Sequence, residues 1–220
     1  MILYTVDQGE FITLEESLRR QPQGRRNVYV NITNRCSCAC TFCLRQFHKE
    51  MAEENTMWLR EEPEPAVVKA AFAALDWSHV AEVVFCGFGE PTMRLPVLVE
   101  LLRYVKTTHP QTATRLNTNG LSDLMYARDT SSDFGGGILD TVSISLNASN
   151  EARYLQLTRN QFGPGSFEAM LTFAAHCQRY VPEVVMSIVD QVEDAAEIAA
   201  CRKLCTERGL TLRVRPYEDK

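Results

Sequence analysis

With 220 residues, 45% of them hydrophobic and 23% charged, the chain has the composition of a globular protein with one sizeable core, and no linker-like stretch divides it. It shows no leader-like apolar region and no run approaching membrane-spanning length, so a cytosolic protein with reduced cysteines is expected, without a membrane partner. The net charge of -5 gives no general attraction to nucleic acid; Arg19, Arg20, Arg25 and Arg26 form a local basic patch that keeps that possibility open.

Residues 2–6 read as a short strand, followed by a turn at Asp7-Gln8-Gly9 and the apolar pair Phe11-Ile12. Residues 1–26 are expected to form an extension packed on a core domain over 27–220. Val28, Val30 and Ile32 alternate with Tyr29, Asn31 and Thr33, a strand pattern that leads directly into Asn34-Arg35-Cys36-Ser37-Cys38-Ala39-Cys40-Thr41-Phe42-Cys43. A helix over about 65–75 precedes a buried strand over 80–85, which ends in Cys86-Gly87-Phe88-Gly89-Glu90-Pro91-Thr92. Leu95, Leu98, Leu102 and Val105 have helical spacing. A strand over 114–118 runs into Asn119-Gly120, and after a glycine-rich break another covers 139–147. Helix 166–180 with strand 184–190, then helix 194–208 with strand 210–216, complete six strand–helix alternations with the logic of a parallel sheet. A full barrel of the usual kind needs eight.

Strand parity adds a separate clue. Thr141, Ser143, Ser145 and Asn147 share one face, as do Arg115 and Asn117, Thr211, Arg213 and Arg215, and Asn31 and Thr33. A closed barrel fills its interior with branched apolar side chains, so polar faces suggest an open barrel that holds a ligand; exposed sheet surface is the alternative.

Cys36, Cys40 and Cys43 form Cys-x3-Cys-x2-Cys, which lets three thiolates from one loop converge on a soft metal centre and leaves a coordination position free for a small molecule. Cys38 reads as a non-ligand; a zinc knuckle using all four cysteines is the competing reading. Cys177, Cys201 and Cys205 lie on apolar helix faces and Cys86 at a strand end, so all four read as core. His48, His79, His109 and His176 show no paired ligand spacing. Arg213 and Arg215 suit either an anionic substrate or pairing with acids.

With Phe42 in place, the loop resembles the Cys-x3-Cys-x-aromatic-Cys signature of the radical S-adenosylmethionine (radical SAM) enzymes. The resemblance implies an α/β fold, a partial (β/α)6 TIM-like barrel, with one 4Fe-4S cluster held by Cys36, Cys40 and Cys43. It places Phe42 near the adenine of SAM. Gly87, Gly89 and Glu90 then match the motif that binds the amino group of SAM. Asn117 faces the cofactor or substrate, and Ser145 and Asn147 match a segment that contacts ribose or carboxylate, with Asn147 where many relatives carry Asp. An adenine contact on the fifth strand falls near Val189. The implied activity is reductive cleavage of SAM to methionine and a 5'-deoxyadenosyl radical, followed by hydrogen abstraction from an unknown substrate, with electrons from a reductant of flavodoxin or ferredoxin type. Segments 29–36, 40–45 and 142–148 look like the small TatD-linked radical SAM proteins. An activating enzyme that makes a glycyl radical on a partner protein, and a non-catalytic zinc-binding adaptor, are the other readings.

Overall fold

The computed structural model describes residues 1–46, 57–190 and 192–216; His48 lies outside them. In chain order, β1 (Leu3–Asp7) and β2 (Glu10–Ile12) form an antiparallel hairpin, and α1 (Leu14–Arg20) follows. Thr13 caps α1, its Oγ1 accepting from the Glu16 N–H at 3.1 Å. Then come β3 (Arg26–Val30), α2 (Pro65–Ala73), β4 (Val80–Phe85), α3 (Leu95–Thr108), β5 (Ala113–Thr118), α4 (Ser122–Tyr126) and β6 (Thr141–Ser145). The chain continues through α5 (Glu151–Thr158), α6 (Ser166–Cys177), β7 (Glu183–Val189), α7 (Ala195–Glu207) and β8 (Thr211–Arg215). Each strand and long helix expected from periodicity is present within a few residues of its expected bounds. Helices α1, α4 and α5 were not anticipated.

All eight strands form one sheet in the order β2-β1-β3-β4-β5-β6-β7-β8. From β3 to β8 every neighbouring pair is parallel, while β1 lies antiparallel along β3. This is the partial six-stranded barrel, extended on one edge by the N-terminal hairpin. Its apolar face, including Val30, Phe85, Leu116 and Ile144, packs under the helices with Phe72, Leu98 and Phe173 in the main core. These side chains are fully buried, each contributing about 1.5–3 kcal/mol of transfer free energy.

The opposite face is polar and turns inward. Asn117 pairs in register with Ser143, and Ser145 with Ser187, which in turn pairs with Arg213. Ser143 and Ser187 are only 5% and 2% exposed, so this face is not open sheet surface. Tyr4 of β1 and Arg215 of β8 line one chamber although their strands stand far apart in the sheet order, which requires the sheet to curl. Cys177, Cys201 and Cys205 sit in the core, where burial pushes the Cys201 thiol up to about 12 and Cys205 up to about 11. Cys86 departs from its core reading: it shares strand parity with Glu82 and Val84 and lines the lumen.

Candidate functional site

The cysteine loop leaves the C-terminal end of β3 and docks on the C-terminal end of α5. The last carbonyls of a helix lack intrahelical partners. Here the Ala39 N–H donates to the Thr158 carbonyl and the Thr41 N–H to the Leu157 carbonyl, both at 2.9 Å. Ser37 returns the contact by accepting from the Gln161 N–H at 2.9 Å. The loop's root is tied by Glu62, which accepts from Arg35 Nε at 2.7 Å and Arg35 Nη2 at 2.9 Å, and also from the Thr33 hydroxyl.

The β4 exit meets this loop backbone to backbone. The Glu90 N–H donates to the Arg35 carbonyl at 2.8 Å. A Cβ on Gly87 would fall 2.2 Å from the Asn31 side chain, and one on Gly89 would fall 2.2 Å from the Thr33 carbonyl. Both glycines therefore serve the packing of the protein on itself, besides lining the cavity. Asn119, past the end of β5, clamps the assembly: its Nδ2 donates to Ser37 Oγ at 2.9 Å and its backbone N–H to Glu90 Oε2 at 2.7 Å.

Glu90 is 4% exposed. Its Oε1 accepts from the Thr92 N–H, the Thr92 hydroxyl and the Thr118 hydroxyl, while Oε2 accepts only from Asn119. Burial pushes the carboxyl up, opposed by those hydrogen bonds. Oε2 keeps lone-pair capacity for a cationic ligand group.

These pieces enclose a cavity of about 190 Å³. The cluster and SAM residues expected from the motifs line it: Cys36, Cys40 and Cys43 with Phe42, then Gly87, Gly89 and Glu90, then Asn117, Ser145 and Asn147. Asn147 adopts φ 63°, a left-handed conformation that asparagine tolerates better than most residues, so its identity also has a backbone reason. Arg215 lines the cavity and Arg213 does not; Arg213 instead bears electrostatically on Glu82. Val189 lines an adjoining chamber.

Cys38 also faces the cavity. Hydrogen bonding to Cys36 and Cys40 pushes its thiol far up, while the same contact lowers Cys36. Among the described residues, the group whose ligand atoms converge within 4.8 Å of one another is Asp123, Asp129 and His176, not a set of thiols.

Sequence reasoning missed Tyr154 on α5. It is fully buried, lines the cavity, and its hydroxyl has no partner among the described residues. Asn117 Oδ1 is likewise buried and unpartnered. The available signal was the N-cap at Asn150, whose Oδ1 accepts from the Arg153 N–H at 3.1 Å, followed by Tyr154, Leu157 and Thr158 at helical spacing. Two orphaned polar atoms facing a cavity of thiols and hydroxyls fit a polar ligand bound beside a thiolate-held centre.

Fold and site together define an open α/β barrel with a cysteine-lined cavity at the C-terminal ends of its strands. The family model described as the Radical SAM superfamily matches residues 30–203, and the chain belongs to that superfamily. It is accordingly an enzyme whose cofactors are a 4Fe-4S cluster and S-adenosylmethionine, with its cysteine cluster in the expected region.

A GTP 3',8-cyclase of Corynebacterium glutamicum (strain R) is 28% identical over 197 residues, covering 86% of this chain and 48% of the relative. The chain spans about half the length of the curated relatives it matches. Among solved structures, Streptococcus suis SuiB bound to precursor peptide SuiA superposes with a TM-score of 0.67 at 16% identity, over 92% of this chain and 42% of that one. Native anSMEcpe with bound AdoMet gives 0.58 at 19% identity, over 86% and 50%. These structural likenesses concern the fold. Among the described residues, no helix is long and apolar enough to cross a membrane.

Proposed function

We propose that this protein reductively cleaves S-adenosylmethionine to a 5'-deoxyadenosyl radical and uses it to abstract hydrogen from a substrate. The bound cofactors supply the electron transfer and the radical; the protein's part is to bind, orient and shield them. Cys36, Cys40 and Cys43 are assigned as cluster ligands. Phe42 flanks the adenine, Gly87, Gly89 and Glu90 receive the amino end of SAM, and Asn117, Ser145 and Asn147 receive its ribose or carboxylate. Residues 1–26 act as an extension of a core domain over 27–220, and an external one-electron reductant of flavodoxin or ferredoxin type is the partner.

The observation that carries this reading is the cavity itself: residues chosen from separate stretches of sequence all line it. Within the superfamily, segments 29–36, 40–45 and 142–148 support a place among the small TatD-linked proteins. Cyclisation of GTP is not carried over, since the match covers under half of those enzymes.

The test is anaerobic reconstitution with iron and sulfide, then dithionite reduction with SAM and chromatography for 5'-deoxyadenosine. The proposal expects about four irons per chain and 5'-deoxyadenosine, both lost in a Cys36/Cys40/Cys43 triple alanine variant. A colourless protein holding stoichiometric zinc, with no SAM cleavage, would transfer the site to the zinc-adaptor reading.

A further inference from the structure

Next to the cofactor cavity lies a second chamber of about 350 Å³, and the two share part of their lining, including Cys40, Phe42, Cys43, Cys86, Asn117 and Arg215. Its far side is aromatic. Tyr4 and Phe11 of the N-terminal hairpin meet edge to face at 5.6 Å, and Tyr4 stacks on Tyr29 at 5.1 Å. The hairpin thus contributes a wall of the chamber. The volume lies near the lower end of small-molecule pockets, which run from about 300 to 1,000 Å³. That suits a compact molecule.

The charge lining this chamber is one-sided. Among the described residues its charged side chains besides the cysteines are Arg115 and Arg215, with no carboxylate. Arg115 donates one amino group to Glu82 at 2.8 Å, while its Nε is buried without a partner. Burial pushes the Glu82 carboxyl up despite Arg115 and Arg213. Two guanidinium groups lining one chamber, with Glu82 recessed behind Arg115, leave positive potential facing an aromatic surface.

We propose that this chamber binds the substrate, a compact carboxylate or phosphate with a planar body. Arg115 and Arg215 hold the anionic group, and the Tyr4–Tyr29–Phe88 wall stacks on the body. The shared lining then sets the substrate against the cofactor. This rests on the radical SAM reading above and adds the substrate class to it.

The test uses the reconstituted, SAM-loaded protein and titrates three probes by calorimetry: phenyl phosphate, benzoate and the neutral benzyl alcohol. At least one anion is expected to bind about tenfold or more tightly than benzyl alcohol, and the preference between the two anions separates phosphate from carboxylate. Arg215→Met should remove that advantage. Arg115→Met strands Glu82 and could unfold the barrel, so the E82Q/R115M double variant is measured with it and should lose anion affinity too. Glu82→Gln alone should do the reverse, tightening anion binding several-fold by releasing Arg115, a gain that a purely structural arginine would not produce. The proposal is overturned if neither anion binds saturably, if all three probes bind alike, or if the arginine variants keep full anion affinity. Iron content and SAM binding are read on the same samples: their failure in the wild type would sink the cofactor reading, whereas anion indifference with both intact would sink only the chamber.

Discussion

A side-chain carbon on Gly89 would lie 2.2 Å from the carbonyl oxygen of Thr33, well inside any tolerable contact. The same close approach carries the hydrogen bond from Glu90 to Arg35 that joins the β4 exit to the cysteine loop. Gly89→Ala has to push two backbones apart. It should cost about 1–3 kcal/mol in thermal unfolding and lower the iron retained after reconstitution. Wild-type values for both would show that the loops are not held this way.

Cys38 separates the two metal readings. If the ligands are Cys36, Cys40 and Cys43, then Cys38→Ala should keep iron content and the cluster's visible absorption, while Cys40→Ala loses both. Were Cys38 one of four zinc ligands, its loss would abolish metal binding as completely as loss of Cys40.

Tyr154 offers a crossed readout. Its buried hydroxyl has no partner among the described residues, and an unsatisfied group of that kind costs about 1–3 kcal/mol. Without SAM, Tyr154→Phe should leave the unfolding temperature unchanged or raise it. Binding of SAM should weaken by about 2–10-fold, the worth of one ordinary hydrogen bond. A fall in stability with unchanged SAM affinity would assign the hydroxyl to the fold instead.

Glu62 makes the root of the cysteine loop sensitive to acid. Hydrogen bonds from Arg35 hold its carboxyl below the usual range; partial burial opposes this, and Thr33 and Arg94 add to the lowering. A depressed folded value contributes stability above the ordinary carboxylate value, near 4.3, and that stability is lost as pH falls through the lower folded value. The pair is partly exposed, so Glu62→Gln should cost about 1 kcal/mol or less at pH 7. The gap from wild type should close as pH drops below about 4, read as unfolding temperature against pH. A gap that stays constant down to pH 3 would rule out the charge as its source.

The long, strongly periodic elements were legible because their patterns are local: Leu98, Leu102 and Val105 mark one face of a helix, and Ser143 and Ser145 one face of a strand. Helix α5 escaped because it is only 8 residues long and follows an Asn147-Ala148-Ser149-Asn150 stretch that resembles a turn. Missing it hid Tyr154. Cys86 was misplaced because an apolar strand end does not reveal which of its two faces looks into the lumen.

The sequence alone determined the cysteine spacing and the alternation of elements. Three cysteines within eight residues need no distant partner to converge, and periods of 2 and 3.6 are properties of the backbone itself. Only the tertiary structure decided what the polar strand ends share. The curl of the sheet brings Tyr4 and Arg215 to one chamber, the docking of α5 sets Tyr154 beneath the cysteines, and the approach of two loops accounts for Gly87 and Gly89. Those outcomes depend on how a whole layer of helices packs against one face of the sheet, a long-range balance that no local spacing encodes.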